Sequence, residues 1–179
     1  MTIVHVHPLL PVKYIFQGCL FSVYSEYQMP AKNLTGIINK LRDNQYAVVG
    51  IGQHNGFTET RVCGPNGIID SRRKISIYTD EPSQVSPVLN AIDIPNTEIR
   101  LGVVICKEVL HTAIAEVYRM MEVNLLATVI GNDGEFTGVQ RASWIDQMIL
   151  FTDIVRAPMI AGSGASTRSG GINVVIENK

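Results

Sequence analysis

The sequence predicts a layered α/β domain, and three features of its 179 residues support this prediction. Short apolar runs alternate along the chain with amphipathic helical patterns, as is typical of sheets that are covered by helices. Apolar residues make up 46% of the chain and charged residues only 17%, which is enough apolar material for a buried core. The length suits one domain over residues 1–179.

The first half of the chain is predicted to be mainly strand. Apolar or β-branched runs bounded by turn residues predict strands at 20–24, 46–51, 60–63 and 67–69. Apolar residues at helical spacing predict a helix over 33–44. Residues 74–78 are expected to be extended and to lead into a polar loop.

The second half alternates strands and helices more regularly. Strands are predicted at 99–105, 123–130, 158–161 and 172–176, with a Gly/Ser-rich loop between the last two. Amphipathic periodicity predicts a helix over 108–121, and a second helix is predicted over 138–155. In the second helix, Trp144, Met148 and either Phe151 or Leu150 are expected to face inward.

Composition bounds the class of function. Fifteen basic and sixteen acidic side chains give a net charge of −1, so neither nucleic acid nor a membrane surface is an expected partner. The N-terminus lacks a signal-peptide layout, and the three cysteines are an odd number at irregular spacing, which fits a reducing cytoplasm. No zinc-type motif is present, and His5 and His7 have no third ligand nearby, so no metal or cofactor is expected.

Three residues that could carry chemistry follow predicted strands or begin an extended run. Cys106 lies where an apolar strand meets a helix, and the N–H groups of a helix start favour a thiolate and can receive an oxyanion. Glu26 follows the strand at 20–24 and could act as a general base. Lys74 enters an extended run and could stabilise an oxyanion. Taken singly, each is as readily explained by a buried thiol, a loop carboxylate or a solvated lysine.

The order and context of these residues resemble the nitrilase, or carbon–nitrogen hydrolase, superfamily. The chain reads YSEY at 24–27, GIIDSRRKISI at 67–77 and LGVVICKE at 101–108. These segments are similar to the family's Glu motif, its R-K-hydrophobic segment and its I-C-x-E/D segment. Residues 144–164 and the GGI at 170–172 are similar to later parts of the family, whereas Glu122 stands where a glycine is common.

The resemblance implies an α-β-β-α sandwich and a Glu–Lys–Cys triad. Glu26 would be the general base, Lys74 the oxyanion-stabilising lysine and Cys106 the nucleophile. Glu81 would position the lysine or the substrate, and the backbone N–H of Lys107 would complete the oxyanion hole. The implied reaction hydrolyses a non-peptide carbon–nitrogen bond through a thioester, an amide rather than a nitrile on family frequency.

The resemblance also sets expectations about completeness and assembly. The family has a strand and a long helix before its Glu motif, and the residues before Glu26 are too few for both, so we expect an incomplete domain lacking them. A missing strand would leave an open sheet edge, which gives a physical reason to expect a homo-oligomer.

Two alternatives remain open from the sequence. One is a catalytically inactive protein of the same fold that acts in assembly or small-molecule binding. The other is the isochorismatase-like cysteine hydrolases, whose first strand ends in an aspartate that is absent before Glu26. The particular amide or nitrile substrate cannot be read, because selectivity resides in variable loops.

Overall fold

The fold is built from two β-sheets with helices on their outer faces. A computed structural model describes residues 2–7, 11–25, 34–76, 84–131, 137–163 and 171–178. Within these ranges, eleven strands divide into a six-stranded and a five-stranded sheet. Each strand coincides with or extends an apolar run, because alternate side chains of a strand face one layer of the core.

The six-stranded sheet contains the second half of the chain and the N-terminal strand. Its strands lie in the order β1 (Thr2–Val6), β11 (Val174–Asn178), β10 (Met159–Ser163), β9 (Leu125–Ile130), β8 (Arg100–Ile105) and β7 (Ala91–Asp93). The central strands β8, β9 and β10 are parallel, with Ile105 opposite Val129. The outer pairs β7–β8, β10–β11 and β1–β11 are antiparallel.

The five-stranded sheet contains most of the first half. Its strands lie in the order β2 (Val12–Phe16), β3 (Cys19–Tyr24), β4 (Gln45–His54), β5 (Phe57–Gly64) and β6 (Gly67–Arg73). Strands β3 and β4 are parallel, and β4–β5 and β5–β6 are antiparallel hairpins. Strand β6 therefore runs in the same direction as β3 and β4, so all three have their carboxyl ends at one end of the sheet.

Three helices and a 3-10 turn complete the described chain. They are α1 (Leu34–Ile38), the turn (Cys106–Leu110), α2 (Thr112–Met120) and α3 (Gly138–Val155). A Thr137–Gln140 capping box begins α3: the Thr137 hydroxyl accepts from the N–H of Gln140, and the Gln140 side chain accepts from the N–H of Thr137. In α3, Trp144 packs against the core, Met148 and Phe151 are buried, and Leu150 is exposed.

Three apolar layers confirm the predicted α-β-β-α order. Phe21, Val48, Val103 and Leu125 belong to the cluster between the two sheets. A second cluster packs α2 and α3 against the outer face of the six-stranded sheet, and a third packs α1 against β4 and β5. No helix in the described part of the chain is long and apolar enough to cross a membrane.

Three sequence predictions need correction. The predicted helix at 33–44 is helical only over Leu34–Ile38, because the next turns close through i→i+3 bonds and Asn44 is left-handed. The predicted helix at 108–121 is split, with the 3-10 turn ending before α2 begins at Thr112. The predicted extended run at 74–78 is not strand over 74–76, and residues 77–78 lie outside the described residues.

Two strands were not predicted, namely β2 and β7. Strands β1 and β2 lie before β3 and join different sheets, each at an edge. The described residues before Tyr24 contain these strands and no helix. The expectation that the family's first strand and long helix are lacking stays a prediction.

Candidate active site

Cys106 directly follows the central strand β8 and begins the 3-10 turn. Its Sγ contacts the carbonyl oxygen of Gly131 at 3.7 Å, and Gly131 directly follows the neighbouring parallel strand β9. The thiol therefore lies at the carboxyl ends of adjacent parallel strands, which is where ligands bind in open α/β sheets.

The backbone of Cys106 is held in a left-handed conformation, with φ of +53°. Such a conformation in a residue other than glycine costs on the order of 1–3 kcal/mol and persists only where the surrounding structure imposes it. Other described left-handed residues lie in turns or at helix ends, such as Asn55 and Arg156, whereas Cys106 directly follows the buried strand β8. Backbone strain of this kind clusters at functional sites.

Lys74 directly follows β6, at the end of the five-stranded sheet where β3 and β4 also finish. Its backbone N–H donates to the carbonyl of Thr58, and its own carbonyl accepts from the N–H of Ser86, both at 2.9 Å. The residue is only 4% exposed. A lysine in this position is unusual, because lysine is almost never fully buried unless it has a partner.

The carboxylate of Glu108 joins the Lys74 and Cys106 segments. Its Oε1 accepts a hydrogen bond from the backbone N–H of Ile75, next to Lys74. Its Oε2 accepts from the backbone N–H of Ile105, next to Cys106, at 2.8 Å. One buried side chain thus fixes the end of β6 against the end of β8.

A buried cation balances the charge of Glu108. The Arg72 Nη1 donates to Glu108 Oε1 at 3.0 Å and lies 2.9 Å from Oε2, and both side chains are fully buried. Arg72 Nε also donates to the Tyr118 hydroxyl at 3.1 Å, and that hydroxyl donates to the carbonyl of Val103 at 2.6 Å. Burial raises the pKa of Tyr118 to about 12, so this phenol is neutral at physiological pH.

These polar groups take the place of a neighbouring strand along β8. The edge strand β7 pairs only with residues 100–102 of β8. Beyond it, Tyr118 satisfies the carbonyl of Val103 and Glu108 satisfies the N–H of Ile105. Because buried backbone groups must find partners, these two side chains allow β8 to continue to Ile105 without a strand on the β7 side, while β9 pairs with its other side.

The other two cysteines lie in a different environment. Cys19 and Cys63 are buried in the core, whereas Cys106 is partly exposed. Burial raises the pKa of the Cys19 thiol and raises that of Cys63 to about 11. Both are therefore protonated at neutral pH and shielded from reagents, which makes them internal references for the reactivity of Cys106.

The predicted site residues are only partly within the described structure. Lys74 directly follows β6, Cys106 directly follows β8, and Glu108 bonds to the backbone beside each of them. Lys107 lies in the 3-10 turn immediately after Cys106. Glu26 and Glu81 lie outside the described residues. Ser25, which precedes Glu26 in sequence, is buried directly after β3, and its hydroxyl has no partner among the described residues.

Sequence reasoning missed the Arg72–Glu108–Tyr118 network. Arg72 and Arg73 are adjacent and looked equivalent, yet the Arg72 side chain is fully buried while that of Arg73 is substantially exposed. Only the acidic position of the I-C-x-E/D segment could have pointed to Glu108. In the described part of the chain, no three His, Cys, Asp or Glu side chains are grouped so as to hold a metal ion.

Comparisons with known proteins identify the fold. No protein-family model and no curated protein matches the sequence. Among solved structures, Nit3 of Saccharomyces cerevisiae, a member of branch 10 of the nitrilase superfamily, superposes with a TM-score of 0.61 at 12% identity. That match covers 86% of this chain and 66% of Nit3.

Two further solved structures share the fold. An amidase of the nitrilase superfamily from Nesterenkonia AN1 has a TM-score of 0.60 at 10% identity, over 89% of this chain and 77% of the amidase. The glutamine-dependent NAD+ synthetase of Acinetobacter baumannii has a TM-score of 0.62 at 8% identity, over 87% of this chain. The chain spans only 38% of that synthetase.

The chain therefore has the fold of the nitrilase superfamily, as the sequence motifs predicted.

Proposed function

We propose that this chain hydrolyses a non-peptide carbon–nitrogen bond, with Cys106 as the nucleophile and an amide rather than a nitrile as the substrate. The observation that carries the proposal is the position of Cys106. Cys106 is partly exposed, has a left-handed backbone conformation and lies at the carboxyl ends of parallel strands. Glu108 joins its backbone to the segment that contains the buried Lys74.

The proposed reaction divides into acylation and deacylation. Cys106 Sγ, having lost its proton to Glu26, attacks the amide carbon and forms a tetrahedral intermediate. The Lys74 ammonium and the Lys107 N–H stabilise its oxyanion. The carbon–nitrogen bond then breaks, and Glu26 returns the proton to the departing amine or ammonia, leaving a thioester on Cys106.

Deacylation restores the thiol. Glu26 takes a proton from a water molecule, whose oxygen attacks the thioester carbon. The carbon–sulfur bond breaks, the proton passes to Cys106, and a carboxylic acid leaves. In this scheme Glu81 orients Lys74 or the substrate, and no cofactor or metal takes part.

Proteins of the same fold support the proposal by analogy. A mutant of the Nesterenkonia amidase carries the acetamide moiety of fluoroacetamide covalently on its active-site cysteine. Another structure of that amidase shows the addition of acrylamide to the same kind of residue. Amide-type molecules thus reach a cysteine in that fold, and we carry the same substrate class over to Cys106.

Assembly and location belong to the proposal as well. Each sheet has two edge strands within the described chain, β1 and β7 in one and β2 and β6 in the other. Pairing or covering such edges is a common way to avoid uncontrolled association. We propose a homo-oligomer acting on a small molecule in the cytoplasm, without nucleic acid or membrane as a partner.

Amide hydrolysis by single variants tests the function. A panel of small aliphatic and carbamoylated amides is assayed for amine release with the wild-type protein, Cys106→Ala and Lys74→Gln. We expect Cys106→Ala to abolish turnover. We expect Lys74→Gln to reduce kcat by about 10²–10³-fold, as does loss of an oxyanion-stabilising donor in other enzymes.

The controls in this assay are Cys19→Ala and Lys40→Gln. Cys19 is a buried core thiol and Lys40 an exposed surface lysine, so both variants should keep wild-type kcat. Turnover that survives Cys106→Ala would refute the proposed mechanism. No turnover of any amide or nitrile by the wild-type protein would favour a binding or assembly role for this fold.

A further inference from the structure

We propose that Glu108 is a positioning residue for the hydrolysis proposed above, holding the Lys74 backbone and the Cys106 backbone in fixed relation. This inference rests on the proposed function and assigns a role to a side chain outside the Glu–Lys–Cys triad. Glu108 is fully buried and lies on the 3-10 turn that Cys106 begins.

The Glu108 carboxylate connects two separate segments of the chain. Glu108 accepts from backbone N–H groups of two segments that are 30 residues apart in sequence, Ile105 and Ile75. Each of these residues is the direct neighbour of a proposed catalytic residue. A shift of the carboxylate therefore moves the Lys74 backbone relative to the Cys106 backbone, and it need not touch the substrate to do so.

The burial of the Glu108 charge is not explained by stability alone. A buried ion pair such as Arg72–Glu108 is weak evidence for stability, because removing two charges from water costs about as much as their attraction returns. An apolar pair would fill the same space at no such cost. Apolar side chains could not, however, accept hydrogen bonds from both Ile75 and Ile105, and this is the feature that only a carboxylate supplies here.

The substitution Glu108→Gln removes one of the two acceptors. A glutamine has one oxygen, so it can accept from Ile75 or from Ile105 but presents an NH2 group to the other N–H. The connection between the two segments is then broken while the shape of the side chain is kept. Misplacement of reacting groups by about 1 Å can cost on the order of 10²-fold in rate.

The test measures Cys106 alkylation and amide turnover in Glu108→Gln. We expect iodoacetamide at pH 7.5 to alkylate Cys106 about tenfold more slowly than in wild type, because displacement of Lys74 withdraws a cation that favours the thiolate. For amide hydrolysis we expect kcat to fall by about 10²-fold with KM changed by less than about threefold.

The direction of the alkylation change separates positioning from stability. A variant that was merely less stable would open more often, so Cys19, Cys63 and Cys106 would all react faster. Glu116→Gln is the matched control, because it removes an exposed carboxylate on α2 that pairs with Arg119 on the same helix. It should keep wild-type rates in both assays.

A second variant covers poor folding of Glu108→Gln. Glu108→Asp keeps the charge opposite Arg72 but withdraws the carboxylate by one methylene from Ile75 and Ile105. It should also slow Cys106 alkylation. Unchanged or faster Cys106 alkylation in both variants would overturn the inference.

The two proposals can fail separately. If the wild-type protein hydrolyses no amide, the proposed function fails, and the alkylation comparison still decides the positioning role. If the wild-type protein hydrolyses an amide and Glu108→Gln matches its kcat, the positioning role fails and the function stands.

Discussion

At the scale of single residues, three buried polar side chains form a hydrogen-bonded network beside Cys106. Arg72, Glu108 and Tyr118 come from three different elements and are buried at one place. Their bonds satisfy the carbonyl of Val103 and the N–H of Ile105 at the otherwise unpaired edge of β8. Arg72 Nη2 is buried and has no partner among the described residues, so the network is not fully satisfied.

Replacing Tyr118 by phenylalanine tests the energetic importance of this network. The variant leaves the carbonyl of Val103 and the Nε of Arg72 without their partner. Unpaired buried polar groups cost about 1–3 kcal/mol, and we expect a loss of that size in the free energy of unfolding at pH 8. Chemical denaturation of both proteins measures it.

The same variant should show a characteristic pH dependence. The pKa of Tyr118 is raised by burial to about 12, so the folded protein keeps this proton where the unfolded chain has already lost it. The stability contributed by the phenol is therefore complete below pH 10 and is lost between pH 10 and 12. The wild-type advantage over Tyr118→Phe should shrink in that window; an advantage that grows with pH would contradict this assignment.

The burial of Arg72 illustrates what the sequence could not reveal at this scale. Nothing local distinguishes Arg72 from Arg73, because whether a cation is buried depends on a partner from a distant element. The partner, Glu108, is 36 residues away. The strand-end position of Cys106, in contrast, was predictable from the apolar run at 99–105, whereas Lys74 was expected to begin an extended run and instead directly follows β6.

At the scale of elements, the end of α2 shows backbone strain that the sequence does not relieve. Glu122 has φ of +58°, and the N–H groups of Glu122 and Val123 donate to the carbonyls of Arg119 and Tyr118. This is the Schellman pattern, in which the left-handed residue is usually glycine. The geometry explains why a glycine is common at this position in proteins that share the motif.

Two glutamate-to-glycine variants, one just after α2 and one inside it, should change the stability of the protein in opposite directions. Glu122→Gly relieves a left-handed conformation that costs an ordinary residue about 1–2 kcal/mol, partly offset by the greater freedom of the unfolded chain, so the melting temperature should rise. Glu116→Gly places glycine inside α2 and should destabilise by about 1 kcal/mol. Thermal unfolding of both variants measures these effects. A lower melting temperature for Glu122→Gly than for wild type would refute the capping argument.

The boundaries of an element were predictable where local sequence signals mark them. They were not predictable where a side chain bonds back to the backbone and changes the local geometry. The range 138–155 matches α3, which begins after the Thr137–Gln140 capping box, a local signal in the sequence. The range 108–121 failed because Glu108 turns back to bond the N–H of Ile105, which holds the first turn in 3-10 geometry. Strand β2 was missed because prolines interrupt the apolar stretch that contains it, and β7 was missed because it has only three residues.

At the scale of the whole molecule, the two sheets are arranged so that the end of β6 lies against the end of β8. Strands β3 and β6 finish at one end of the five-stranded sheet, and β8 and β9 finish at one end of the six-stranded sheet. The bond from Ile75 to Glu108 joins these ends. Hydrophobic burial drives the stacking of the layers, but this polar contact fixes which ends are adjacent.

The layered fold could be predicted from the sequence because apolar patterning determines layers. The pairing of β1 with β11 could not, since it joins residues from the two ends of the chain without a local signal. The proposed triad came from the motif resemblance, and the structure adds the Glu108 bonds to the backbone beside Lys74 and Cys106. The catalytic roles of Glu26, Lys74, Cys106 and Glu81 remain predictions.

The central claim is that Cys106 is an activated nucleophile, and the alkylation rate of each cysteine as a function of pH tests it most directly. Peptide mass spectrometry after timed iodoacetamide treatment gives the three rates in one sample. We predict that Cys106 reacts far faster than Cys19 and Cys63, with an apparent pKa below the free-thiol value of about 8.5. A Cys106 rate no greater than those of the two buried thiols would contradict the account.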